Sequence, residues 1–208
     1  MQKKLIIFIP SIEGGGVEKN LFIISKYLKD KIKNISVITL SNKYKNRFVG
    51  INFISPKANF WSKIGRRKKF FVGLFLLFLE ILKDRNILVF SFQGNVYCTL
   101  LCKLLGIKII VRSNSAPDGW SQNKLKYLVF KYVLGSADKI IVNSLDFKKK
   151  FKTKFKIRAE CIYNPLNKNE IIKKSKIKNK IKFDKKKLKL INVGRYVDQK
   201  DQLTLLKA

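Results

Sequence analysis

Three consecutive glycines, Gly14, Gly15 and Gly16, are the residues of this chain whose type and spacing best suit phosphate binding. They follow an apolar run at residues 5–9, typical of a buried parallel strand, and precede VEKNLFIISKYL, which has helical apolar spacing. Glycine lets the backbone approach a ligand closely, and free N–H groups at the start of a helix attract anions. The same glycines would also suit a flexible turn of any α/β protein, so this stretch alone leaves both interpretations open.

Several common chemistries are excluded by the residues present. The dinucleotide-binding fingerprint requires a glycine where this chain has Lys19, and a P-loop requires Gly-Lys followed by Ser or Thr. The chain has no histidine, so a Cys/His metal site and a Ser/His or Cys/His catalytic pair cannot form. The three cysteines, Cys98, Cys102 and Cys161, lie in apolar segments and are predicted to be reduced and buried.

The chain is strongly basic, with 46 Lys and Arg residues against 13 Asp and Glu residues and a net charge of +33 over 208 residues. Such a charge favours an anionic partner, either nucleic acid or an anionic membrane surface. Lys, Ile and Asn are abundant throughout, so part of the lysine is also explained as the default polar surface residue of a biased composition. The sequence contains no zinc finger, aromatic RNA-binding signature or GXXG loop, which disfavours nucleic acid.

The segments around the glycine loop (residues 14–16) predict the fold. Apolar runs typical of strands alternate with helical patterns, which indicates an α/β fold with a Rossmann-like, doubly wound parallel sheet. The further predicted strands lie at residues 34–40, 51–55, 86–92, 108–114, 138–144 and 161–165. Ligands of such sheets bind beyond the carboxyl ends of the strands. Polar residues at those ends are therefore site candidates, namely residues 91–94, 112–115 and 143–144.

Residues 61–84 have a basic start followed by a helical stretch that is apolar on nearly every side. Such a helix either packs within a core or contacts lipid. The basic residues 66–69 beside Trp61 and Phe71 suit an interfacial anchor, and a sheet-covering helix with a solvated basic end is the alternative. The longest apolar run, residues 70–79, is well short of the roughly 20 residues that span a bilayer. No signal peptide is apparent, which predicts a cytoplasmic location.

The composition changes after Pro165. Residues 1–165 are predicted to form one complete domain, and the lysine-rich residues 166–187 a linker or a loosely attached helix. Residues 188–208 contain a predicted strand at 188–193, a loop and the start of a helix. A strand and about two helical turns cannot bury a core, so this segment is expected to be the start of a second domain.

Four motifs in this order resemble the family 4 retaining glycosyltransferases of the GT-B fold. They are GGGVEK at residues 14–19, VNS at 142–144, YNP at 163–165 and VGRYVDQKD at 193–201. The resemblance implies transfer of a sugar from a nucleotide-sugar to an acceptor, with retention at the anomeric carbon and with neither a metal ion nor another cofactor. It also implies two Rossmann-like domains facing each other across a cleft. This chain would provide the N-terminal, acceptor-side domain and the beginning of the C-terminal, donor-binding one.

The resemblance carries over to particular residues. The glycine loop corresponds to the family's loop near the donor phosphates, and Arg195 and Lys200 correspond to the two cations that hold the donor diphosphate. Two fixed cations would balance the charge that grows on the leaving nucleoside diphosphate. Arg112, Asn114 and Ser144 are the candidates on the acceptor side.

Two departures from the family pattern affect the expected activity. The family's pair of glutamates, seven residues apart, would lie beyond Ala208, and the acceptor-side histidine of many members has no counterpart. The chain alone is therefore expected to be inactive.

The predicted function is that of a glycosyltransferase fragment from a bacterium, acting at the cytoplasmic face of a membrane in lipopolysaccharide, capsule or other surface-polysaccharide synthesis. Its acceptor would be a glycan or a lipid-linked sugar, and basic residues 66–69 and 148–156 would face anionic lipid. One alternative is a non-catalytic half that binds acceptor or membrane and needs a separately encoded C-terminal half. Another, from charge alone, is a nucleic-acid-binding protein.

Overall fold

The computed structural model of the 208-residue chain describes residues 4–58, 60–120, 123–177, 190–194, 196 and 201–207. The chain divides into two compact units, Met1–Asn167 and Lys168–Ala208. The division falls close to the predicted border after Pro165, and the exact limits of the predicted linker and second domain stay predictions.

The first unit is built on a parallel sheet of seven strands. The strands are β1 (Lys4–Phe8), β2 (Ile35–Ile38), β3 (Asn52–Ile54), β4 (Ile87–Ser91), β5 (Lys108–Ser113), β6 (Lys139–Val142) and β7 (Glu160–Cys161). Their order is β3-β2-β1-β4-β5-β6-β7, and every neighbouring pair is parallel. The direction of winding reverses between β1 and β4, which lie side by side. The predicted Rossmann-like, doubly wound sheet is confirmed.

Within the described residues, six α-helices connect these strands. They are α1 (Gly16–Lys29), α2 (Phe60–Lys63), α3 (Arg66–Lys83), α4 (Asn95–Leu104), α5 (Lys124–Val133) and α6 (Leu145–Phe155), together with 3-10 helices at Asn42–Arg47, Pro117–Trp120 and Leu134–Ser136. Residues 61–84, predicted as a basic start followed by a helix, form the end of α2 and all of α3, and the chain is not helical at residues 64 and 65 between them. The strand predicted over residues 161–165 is reduced to Glu160–Cys161.

The sheet has an apolar core on each side because successive strand side chains point to opposite faces. Ile7 of β1 packs in the core beneath α1, which contributes Leu21. Phe8, the next residue, packs in the larger core beneath α3 to α6. Leu77 of α3 and Phe151 of α6 belong to that second core and are fully buried. Both sides of the sheet are therefore covered, as the continuous apolar character of the strands predicts.

Two of the three cysteines are buried as predicted, and the third is not. Cys98 and Cys102 lie inside α4 against the larger core, while Cys161 at the end of β7 is half-buried. All three are free thiols. Burial raises the pKa of the Cys98 thiol well above its usual value, so it stays protonated and unreactive at neutral pH.

The second unit contains α7 (Lys168–Ser175) and α8 (Gln202–Lys207). Part of the lysine-rich stretch thus forms a helix, the second of the two predicted possibilities. Of the strand predicted at 188–193, residues 188 and 189 lie outside the described residues, and residues 190–193 do not form a strand. Ile191 is 91% exposed, and a strand without a neighbour cannot form its backbone hydrogen bonds.

Candidate functional site

The glycine loop lies at the carboxyl end of the sheet, next to the point where the winding reverses. Parallel sheets bind ligands in the crevice that this reversal opens. Backbone hydrogen bonds hold the end of β1 and the segment after it on both sides. Phe92 N, after β4, donates to Phe8 O at 3.0 Å, and Leu40 N, after β2, donates to Pro10 O at 3.0 Å. The loop is thereby held between the segments that follow β2 and β4.

The three glycines differ in backbone conformation and in the space around them. Gly14 has φ of +92°, a conformation that side-chain-bearing residues rarely adopt, and a Cβ there would lie 3.3 Å from Tyr44 Oη. Gly15 is the N-cap of α1. It has no side chain that could accept a hydrogen bond from the first N–H groups of the helix. A Cβ on Gly16 would meet no atom within 4 Å. The backbone at Gly16 is therefore open to a ligand.

A carboxylate shares the positive end of α1. Glu18 lies in the first turn of the helix, is 7% exposed, and accepts a hydrogen bond from Glu13 N at 3.4 Å. Negative side chains in this position stabilise a helix through its dipole. The same charge repels a phosphate, so the glycine loop needs nearby cations to hold one.

Cations are present in a cavity beside the glycine loop. The cavity has a volume of about 320 Å³ and is lined by Ile12, Glu13, Ser41, Asn42, Lys43, Ser62 and Lys69. The segment after β1, the 3-10 helix after β2, α2 and α3 all contribute to it. Its size is at the lower end of the range for small-molecule sites, and its two ammonium groups outnumber its one carboxylate.

Polar side chains link β4 to β5 at the same edge. Ser91 Oγ lies 2.9 Å from Asn95 Oδ1 and 3.0 Å from the carbonyl oxygen of Gln93, and it can donate to either. Asn95 Nδ2 donates to the carbonyl oxygen of Arg112 at 3.0 Å. Asn95 was not among the predicted site residues, although its position at the start of a helix after a strand was a usable signal.

Two buried oxygens at this edge have no hydrogen-bond partner among the described residues. They are Oε1 of Gln93, which follows β4, and Oδ1 of Asn114, which follows β5. The amide nitrogen of Asn114 is oriented by Phe92 O and Arg112 O, each at 3.4 Å. Leaving a buried polar atom unpaired costs about 1–3 kcal/mol. The edge therefore keeps unused capacity to accept hydrogen bonds from a ligand.

The side chain of Arg112 is buried and is not exposed at the edge of the sheet. It is 1% exposed, and its Nη2 donates to Ile162 O at 3.1 Å and to Asn164 Oδ1 at 3.0 Å. Burial lowers the pKa of Arg112. The guanidinium thus connects β5 to the segment after β7, and its Nε is buried with no hydrogen-bond partner in the part of the chain that the structure describes. Asn164, the asparagine of the YNP motif, is a positioning residue that its place at the predicted domain border could have suggested.

The remaining predicted residues are placed as follows. Ser144 is the N-cap of α6, and its Oγ accepts a hydrogen bond from Phe147 N at 3.2 Å. Its strand lies three positions from β1, which at about 4.8 Å a strand is roughly 14 Å across the sheet. Only an extended ligand could contact both Ser144 and the glycine loop. Arg195 and Lys200 lie outside the described residues.

No protein-family model and no curated protein sequence matches the chain. Its fold matches the solved structure of Anabaena Alr3699/HepE in complex with UDP and glucose, with a TM-score of 0.56 and 16% identity over 80% of this chain and 46% of that one. It also matches a glycosyltransferase from Rickettsia africae ESF-5, with a TM-score of 0.54 and 14% identity over 86% of this chain and 51% of that one. The chain thus shares the fold of these proteins and spans about half of their length.

Proposed function

We propose that this chain is the acceptor-side part of a retaining, family 4 glycosyltransferase that moves a sugar from a nucleotide-sugar to a glycan or lipid-linked acceptor in bacterial surface-polysaccharide or lipopolysaccharide synthesis. The observation that carries the proposal is the glycine loop at the carboxyl end of β1, where the winding of the sheet reverses. The fold shared with the Rickettsia glycosyltransferase, and with HepE bound to UDP and glucose, supports it.

We assign the phosphates of the donor to the glycine loop, where they approach the open backbone at Gly16. The buried carboxylate of Glu18 repels a phosphate there, so binding requires cations. For Arg195 and Lys200 the family resemblance implies such a role, the neutralisation of the charge that develops as the nucleoside diphosphate leaves. In this proposal they take the part that a metal ion plays elsewhere, and no cofactor is required.

The proposed acceptor site is the edge formed by the segments after β4 and β5. The unpartnered atoms of Gln93 and Asn114 are oxygens, so their ligand must donate hydrogen bonds. The hydroxyl groups of a sugar do so, whereas a phosphate dianion does not. Lys43 and Lys69, in the cavity beside the glycine loop, would contact an anionic group of either substrate.

The test is a transfer assay with a panel of nucleotide-sugars and glycan acceptors. The chain is assayed alone, and also joined to the C-terminal domain of the Rickettsia glycosyltransferase. We expect transfer by the joined protein and none by the chain alone, because the chain spans about half of the length of the solved structures that share its fold. Inactivity of both forms with every donor would contradict the proposal and favour a non-catalytic binding half.

Variants of the joined protein test the glycine loop directly. Gly16→Leu should reduce transfer by a factor of about 100, because its side chain enters the open space assigned to the donor. Gly16→Ala is the matched control, since it makes the same backbone change with a much smaller side chain. Equal activity of the two variants would show that no substrate approaches Gly16.

A further inference from the structure

Three neighbouring helices on one side of the sheet expose apolar side chains to solvent as well as burying them. In α3, Phe71, Phe75 and Leu82 are 72%, 59% and 56% exposed, while Leu77 and Ile81 of the same helix are fully buried. Folding requires only the buried stripe, because a surface helix packs one face against the sheet. The exposed stripe of α3 therefore needs another explanation.

The same arrangement is repeated in α4 and α5. Each of these helices exposes three large apolar residues at positions i, i+3 and i+7, which lie on one face of a helix. They are Tyr97, Leu100 and Leu104 in α4, and Leu125, Leu128 and Tyr132 in α5. Since α4 packs between α3 and α5, the three stripes lie side by side. We call these nine residues of α3, α4 and α5 the outer helix face.

The charges around the outer helix face are almost all positive. The three helices, all of whose backbone the structure describes, contain nine basic residues and one acidic residue, Glu80. Glu80 is 8% exposed and is paired with Lys4 and Lys83, so it presents little negative charge to solvent. Arg67 and Lys68 are exposed in the first turn of α3 and make no ion pair with a described residue.

We propose that the outer helix face is a docking surface for an anionic lipid bilayer. Apolar side chains flanked by Lys and Arg are the composition of helices that lie in a membrane interface. The rings of Tyr97 and Tyr132 suit the headgroup level, because their hydroxyls stay hydrated while their rings are buried. A second copy of the chain fits less well, since it would bring two strongly basic surfaces together.

Within the described part of the chain, no helix is long and apolar enough to cross a bilayer. The proposed contact is therefore one in which α3, α4 and α5 lie on the membrane surface. It differs from docking by the basic helix α6, whose lysines at positions 150 and 154 pair with Asp118 and which exposes a single large apolar residue, Leu145. The proposal does not depend on the sugar-transfer reaction.

The experiment is co-sedimentation of the full chain with phosphatidylcholine vesicles, with and without phosphatidylglycerol. We expect binding to the anionic vesicles that weakens as NaCl is raised from about 0.1 M to about 1 M. Phe71→Ser/Phe75→Ser should weaken this binding at least tenfold, since each ring otherwise leaves water. Arg67→Glu/Lys68→Glu should weaken it roughly tenfold or more.

Matched variants on the opposite side of the sheet separate an oriented contact from general attraction to a basic protein. Tyr27→Ser removes an exposed ring from α1, and Lys26→Glu/Lys33→Glu makes the same charge change as the α3 double variant. Both should leave binding within about twofold, because neither changes a residue of α3, α4 or α5. Equal weakening by the two charge reversals would overturn the proposal.

Tryptophan fluorescence tests the contact with variants that gain a signal on binding, so that loss of binding through misfolding cannot be mistaken for a positive result. With both native tryptophans replaced (Trp61→Phe/Trp120→Phe), the tryptophan introduced by Phe75→Trp should shift its emission to the blue on anionic vesicles and be quenched by brominated lipid, whereas Tyr27→Trp should show neither effect. Unchanged emission from the Phe75→Trp variant with vesicles bound would overturn the proposal. So would a dimeric chain in sedimentation equilibrium that becomes monomeric on Phe71→Ser/Phe75→Ser, since the face would then belong to a second copy.

Discussion

On one side of the sheet α1 exposes Lys26 and Lys29, whereas on the other side α3 exposes Phe71 and Phe75. Both helices bury an apolar stripe against the sheet, so each side of the sheet has an apolar core. The outward surfaces differ although the demands of folding on the two helices are the same. A difference that folding does not require is expected to reflect function.

The composition of the whole chain conceals this difference. With a net charge of +33, exposed basic residues lie on both α1 and α3, and lysine alone does not distinguish one side from the other. The distinguishing feature is the apolar residues among the cations on α3, α4 and α5. Charge attracts the protein to anionic surfaces in general, and the apolar stripes select the side that makes contact.

The largest expected effect separates the inner and outer sides of α3. Leu77→Ala should lower the free energy of unfolding by about 2–5 kcal/mol, because Leu77 is fully buried in the larger core. Phe75→Ala should change it by less than about 0.5 kcal/mol, since Phe75 is 59% exposed. Urea unfolding followed by circular dichroism measures both. A large loss from Phe75→Ala would mean that the outer helix face serves folding after all.

The next effect concerns the carboxylate on the inner side of α3. Burial opposes ionisation of Glu80, but Lys4 Nζ at 2.6 Å and Lys83 Nζ at 2.8 Å outweigh it and lower its pKa. Ionised Glu80 thus contributes stability that is fully present above its unfolded pKa of about 4.3 and is lost as the pH falls through its lower folded pKa.

Glu80→Gln tests that contribution. At pH 7 the variant should be about 1.5–3 kcal/mol less stable than the original chain, the range for a hydrogen bond to a charged group. The gap should narrow as the pH falls below about 4. Urea titrations from neutral to acidic pH measure this difference in the free energy of unfolding. If the difference stays constant, the ion pairs of Glu80 with Lys4 and Lys83 do not cause it.

A smaller effect is expected on the α1 side, at the glycine loop. Gly14→Ala should cost about 1–2 kcal/mol, because Gly14 has φ of +92° and a Cβ would approach Tyr44 Oη. Gly16→Ala should be neutral or stabilising by about 0.4–1 kcal/mol, since Gly16 is helical and has open space around it. Thermal unfolding of the two variants compares them, and equal losses would argue against the positive φ at Gly14.

The smallest effect concerns the way the helices begin. Ser144 caps α6 through a hydrogen bond from Phe147 N, so Ser144→Ala should cost about 1 kcal/mol. The N-caps of α1 and α3, Gly15 and Gly65, make no side-chain hydrogen bond, and Gly65→Ser should instead add a few tenths of a kcal/mol. Urea unfolding of both variants checks the sign. A loss from Gly65→Ser would indicate that α3 begins differently.

Much of the candidate site was predictable because it depends on local patterns. Apolar runs locate the strand ends, and residues that follow parallel strands meet at one edge of the sheet. The role of Arg112 was not predictable. Its partner Asn164 lies 52 positions away, and no local pattern indicates that a strand-end arginine turns inward to bind a distant segment. The capping role of Ser144, by contrast, involves a neighbour three positions along the chain.

The sequence by itself determined the α/β fold and the position of the glycine loop, because hydrophobic periodicity and glycine placement are properties of neighbouring residues. It did not determine which side of α3 is buried, since that helix is apolar nearly all round and its own pattern does not choose a face. Only packing against the sheet selects Leu77 and Ile81 for the core and leaves Phe71 and Phe75 outside. The same packing places the stripes of α3, α4 and α5 side by side, which no single helix encodes.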